Sequence, residues 1–127
     1  MRAAAFVLAV AGAVLASMPS SAEPAMTAGD LQQLCAGTDH VSVNACRIYI
    51  LGVTQGITVG MNMAGGQGRT ARPCVPPGVS AEELEQTVKA KLDRRLSANP
   101  ADQNLDAAGF IGTVLTDTFR CPKKAAR

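Results

Sequence analysis

The chain has 127 residues, 47% of them hydrophobic, and a formal net charge of +2. It contains no Trp, one Tyr and three Phe, and its Lys and Arg residues form no stripe, so it lacks the clustered cations and stacking rings that nucleic-acid binding needs. Its length accommodates one domain.

Met1 and Arg2 are followed by an apolar run from Ala3 to Ala16, broken only by Gly12, and then by the small and polar stretch Ser17 to Ala22. A positive start, an apolar core and a small-x-small end are the parts of a secretory signal peptide. A transmembrane span needs about 20 apolar residues, and Pro19 and the serines end this run too early. No cysteine stands where a lipoprotein would carry one. Residues 1–22 are therefore expected to be cleaved, leaving residues 23–127 as an exported domain that does not enter the membrane.

Thr27 and Asp30 have capping-box spacing, and Leu31, Leu34 and Cys35 follow on one helical face, with Gly37 ending a short first helix. After a polar loop over Thr38 to Ser42, a second helix is expected from about Ser42 to Met63, carrying Cys46, Tyr49, Ile50, Val53, Ile57 and Met61 at near-helical period. The strand formers between Arg47 and Val59 admit a strand, but length and period favour the helix. Gly52, Gly56 and Gly60 repeat every four residues, each at a cost of about 1 kcal/mol against alanine. Such a face is expected to admit a neighbouring helix within the fold, with a groove or dimer seam as the alternative.

Ala64 to Pro77 reads as a loop from its glycines and prolines. Ser80 and Glu83 form a second capping box, and Leu84, Val88, Leu92 and Leu96 step along one face of a third helix whose later turns carry Lys89, Lys91, Arg94 and Arg95. A charge run of this kind reads as a solvated face. Ser97 to Asn104 is a polar connector. Asp106 caps a fourth helix with Phe110, Ile111, Val114, Leu115 and Phe119 in its core, and Pro122 stops it, with Lys123 to Arg127 a frayed tail. The expected fold is all-α: a small four-helix domain made of two helical hairpins.

Cys35, Cys46, Cys74 and Cys121 are spaced by 11, 28 and 47 residues, which suits disulfides of an exported domain and neither a metal site nor a C-x-x-C redox motif. Three connectivities exist. A hairpin sets the end of its first helix beside the start of its second, which favours Cys35–Cys46 and Cys74–Cys121. The single histidine, His40, sits in a polar loop with no evident partner. No Gly-x-Ser-x-Gly context is present, the aspartates Asp30, Asp39, Asp102, Asp106 and Asp117 read as caps or loop residues, and paired cysteines leave no thiol nucleophile. No catalytic, cofactor or metal site is expected, which leaves binding.

The ordered set Leu31-x-x-Leu34-Cys35, then Cys46 through Tyr49-Ile50 and Gly52-Val53 to Gly56, then Cys74-x-Pro76-x-Gly78-Val79, and finally Phe119-x-Cys121-Pro122 resembles the Rap/Tai family of periplasmic immunity proteins of type VI secretion. The resemblance spans Met26 to Pro122. It implies an all-helical, disulfide-bonded domain that often dimerises and that blocks a peptidoglycan amidase effector, with a loop between helices plugging the enzyme's cleft. On that analogy the contacts would be Asn99, Asp102 and Gln103 of the connector, with Arg69 and Arg72 of the Gly65 to Arg72 loop as a second candidate. A stand-alone exported binding protein, or an acid-stress chaperone-like helical protein, is the alternative; with one histidine, an acid switch would rest on carboxylates.

Overall fold

The computed structural model describes residues 25–64 and 72–122. Within them the chain forms four α-helices, α1 (Ala28–Ala36), α2 (His40–Met63), α3 (Ala81–Ala98) and α4 (Ala107–Thr118), with a 3-10 turn at Pro100–Asn104. No strand occurs among the described residues, so the strand reading of Arg47 to Val59 gives way to helix. The expected signal peptide and C-terminal tail lie outside the described residues.

Each helix starts where a side chain can take up orphan backbone donors. Thr27 and Asp30 form the expected reciprocal capping box, and Ser80 and Glu83 form the second. Asp106 accepts from the Gly109 amide at 2.7 Å. The start of α2 differs from expectation. Asp39, not Ser42, is its N-cap, accepting from the amides of Val41 and Ser42, both at 3.0 Å. One carboxylate oxygen serves both amides while the other accepts from the Ser42 hydroxyl at 2.6 Å, so the helix opens at His40. His40 is exposed as expected, but on a first helical turn.

The helices converge on one core in which Leu31, Ile50, Val88, Leu92, Ile111 and Leu115 are fully buried. All four expected leucine and valine positions of α3 are buried. Around the core, α2 packs against each of the other three helices. Both favoured disulfides are present. Cys35–Cys46 joins the ends of α1 and α2 with Cα atoms 5.0 Å apart, and Cys74–Cys121 ties the approach to α3 to the end of α4 at 4.9 Å. Beside the second bridge the Cys74 amide donates to the Phe119 carbonyl at 2.6 Å.

The N-terminal end of the folded unit is sewn to the start of its last helix. The Ala28 amide donates to the Leu105 carbonyl at 2.8 Å and the Ala107 amide to the Met26 carbonyl at 2.9 Å, an isolated antiparallel bridge between Thr27 and Asp106. The entries into α1 and α4 are thereby fixed side by side.

The expectation that Gly52, Gly56 and Gly60 admit a neighbouring helix is overturned. A methyl group added at any of the three would meet nothing within 4 Å. The reason lies in the phase of α2: Cys46, Ile50 and Thr54 define its buried face, and the glycines turn away from it.

Candidate partner-binding surface

The segment joining α3 to α4 is shorter and stiffer than a polar loop. α3 continues through Ala98, and Pro100 then enters a 3-10 turn for which its fixed φ is suited. Asp102 organises the turn. It accepts from the Arg95 Nε and from the Asn99 amide group at 2.8 Å, while backbone bonds Asp102 to Asn99 and Leu105 to Asp102, both 3.0 Å, close the turn. A methyl group built on Gly29 would lie 3.2 Å from the Gln103 Cβ, so α1 and the turn approach at backbone distance. The connector is a ridge braced from α3 and α1.

This bracing sorts the residues expected to touch a partner. Asn99, Asp102 and Gln103 do lie together on the ridge. Asp102 is largely covered and its carboxylate is engaged internally, whereas Asn99 and Gln103 are exposed. Arg69 lies outside the described residues. Arg72 is exposed at the other end of α4, next to the Cys74–Cys121 bridge, and the 12 residues of α4 put about 18 Å between the two regions. Leu105 was missed from sequence. It is 42% exposed at the end of the ridge, and only its apolar character after a polar run marked it.

A second exposed surface lies on α2. Val41, Ile48, Gly52, Val59 and Met63 fall on one narrow stripe opposite the core, and the four large side chains are 55% to 83% exposed. Beside it, α2 and α4 enclose an open groove of about 780 Å³ lined by Val53, Gly56, Ile57, Ala108 and Gly112. Tyr49 points off the same helix near the start of α4; burial raises its phenol pKa, and the negative charge of Asp106 adds to that. Among the described residues there is no group of three metal-ligating side chains, and no helix is long and apolar enough to cross a membrane.

The family model of the Rap1a immunity proteins matches residues 27–121. The chain belongs to the Rap1a immunity protein family. The match begins at the Thr27 cap of α1 and ends at Cys121, so the family region and the disulfide-closed helical unit coincide. Rap1a proteins are immunity proteins rather than enzymes, and immunity implies a cognate toxin or effector as partner. The two disulfides place this Rap1a domain in an oxidising, extracytoplasmic setting. Comparison with curated proteins and with solved structures gives no match.

Proposed function

We propose that this Rap1a protein is exported to the periplasm behind a cleaved signal peptide over residues 1–22 and there binds and blocks a peptidoglycan amidase effector of type VI secretion. The family match over residues 27–121 carries the reading. The ridge supports the mode of binding. A plug must keep its shape while it displaces water from a cleft, and a turn braced by Arg95, Asn99 and Asp102 loses little conformational freedom on docking. Gln103 supplies an exposed amide, Asn99 the carbonyl oxygen of a side chain whose nitrogen is already bonded to Asp102, and Leu105 an apolar contact, with Asp102 holding the turn from behind. Arg69 and Arg72 form a second contact set for an acidic rim.

The α2 stripe supports a homodimer. Its large side chains extend over a 24-residue helix, and the glycines let a second backbone come close. The same exposed stripe favours, as a second reading, a stand-alone exported binder or acid-stress chaperone-like protein.

The test is capture from a panel of purified amidase effectors by the mature protein, with the amidase activity of each captured enzyme measured. Stoichiometric loss of activity, relieved by Gln103→Ala with Leu105→Ala, is the expected result. No capture by any amidase, together with suppression of client aggregation at strongly acid pH, would move the function to the chaperone-like reading.

A further inference from the structure

The basic run of α3 is more than a solvated face. Lys91, Arg94, Arg95 and Ala98 share one side of α3, and Phe110, Thr113, Val114 and Asp117 share one side of α4 at the same spacing. Between them lies a second cavity of about 310 Å³, at the lower end of the size range of ligand pockets and large enough for one aromatic side chain. Its inner wall is apolar: Val114 is 6% exposed and Phe110 is half-buried. Its rim is cationic. Arg95 is occupied by Asp102, but Lys91 and Arg94 are exposed and make no ion pair among the described residues, and the one carboxylate in the lining is Asp117 on the opposite wall.

From this juxtaposition of an apolar cavity and unpaired cations we infer that the α3–α4 pocket is an anchor site for a protein segment that carries an aromatic or large aliphatic side chain flanked by Asp or Glu. The apolar side chain enters against Phe110 and Val114, and the flanking carboxylates meet Lys91 and Arg94. A neutral apolar segment would leave both cations without a counter-charge, and an acidic segment without the apolar group would leave the cavity unfilled. Arg95 belongs both to the pocket lining and to the brace of the connector, so a partner lying on the ridge reaches the pocket without leaving the surface. Identifying that partner with the amidase effector rests on the immunity reading; the pocket's chemical preference does not.

The experiment is a titration of the mature protein with the tripeptide acetyl-Glu-Phe-Glu-amide at millimolar concentration, followed by amide and methyl NMR shifts. The controls are acetyl-Gln-Phe-Gln-amide and acetyl-Glu-Gly-Glu-amide. Shifts confined to Lys91, Arg94, Ala98, Phe110, Thr113 and Val114 are expected. They should weaken several-fold with either control and disappear in Lys91→Glu/Arg94→Glu and in Thr113→Trp, which fills the cavity from an exposed position. No shifts with the acidic peptide, or equal shifts with acetyl-Gln-Phe-Gln-amide, would overturn the inference. If no amidase is captured, the immunity reading falls while the titration still decides the pocket. If an amidase is captured and the charge-reversed variant binds it unchanged, the pocket is not that enzyme's anchor.

Discussion

Arg47 donates its Nε to a carboxylate oxygen of Glu85 at 2.8 Å, and the Glu85 side chain is only 7% exposed. The pair crosses from α2 to α3, with Lys89 at 3.8 Å from the other oxygen. Removing Arg47 would leave a buried carboxylate with only the longer Lys89 contact. Because Arg47 is 33% exposed and water can reach the pair, Arg47→Ala is expected to cost about 2 kcal/mol, between the values for exposed and fully buried pairs. Glu85→Gln should cost less, since the amide oxygen can still accept from Arg47. Urea unfolding of the two variants checks the order.

The N-terminal caps predict an acid limb. Hydrogen bonds from Thr27 hold the Asp30 carboxyl below its usual value of 3.8, those from Ser42 do the same for Asp39, and those from Ser80 hold Glu83 below 4.5. A carboxyl whose pKa is depressed on folding stabilises the protein above its unfolded pKa and loses that contribution as pH falls through the folded value. Melting temperature should therefore decline as pH drops below about 4.5, and the decline should be shallower in Asp39→Asn, which caps without titrating. A melting series across acid pH on both proteins reads this directly.

The two disulfides should differ in accessibility more than in contribution to stability. Closing sequence separations of 11 and 47 residues is worth about 3 and 4 kcal/mol in the chain-entropy model. Cys35 and Cys46 are 4% and 0% exposed, whereas Cys74 is exposed and Cys121 half-buried. Under native conditions a soluble dithiol is expected to open Cys74–Cys121 first, and thiol alkylation followed by peptide mapping would show the order. Preferential loss of Cys35–Cys46 would contradict it.

Gly52→Ala and Gly56→Ala should each stabilise the isolated chain by about 1 kcal/mol, because a methyl group there meets nothing and gains helix propensity. Gly37→Ala should destabilise it, since a Cβ at that turn would collide with Ser42. If α2 forms a seam between two copies, Gly52→Ala should also weaken self-association. Melting curves paired with sedimentation equilibrium separate the two effects.

Local signals carried the helices well. Thr27, Ser80 and Asp106 cap by chemistry confined to three or four residues, and the four-residue step from Leu84 to Leu96 marks a buried face without reference to what covers it. The glycine face of α2 could not be read in that way, because whether another helix comes near depends on the rotation of α2, which Cys46 and Ile50 set from within the core. Glu85 was passed over for a similar reason. Among the glutamates at the start of α3 it looks like one more favourable charge, and only the position of Arg47 on another helix makes it a buried partner. The ridge stood out as a polar connector, but the division of labour within it, Asp102 facing in and Gln103 facing out, follows from the reach of Arg95 across the turn.

The bridge between Thr27 and Asp106 joins residues about 80 apart along the chain, a contact of the non-local kind that slows closure. A chain emerging N-terminus first from a ribosome or a membrane pore can form α1 and α2 early, yet it has nothing to pair with Met26 and Ala28 until the last quarter of its length is out. The fold thus carries its own delay. The pairing of the α1 and α4 entries is the contact that waits longest, because α1, α2 and α3 can meet one another before Leu105 and Ala107 are available.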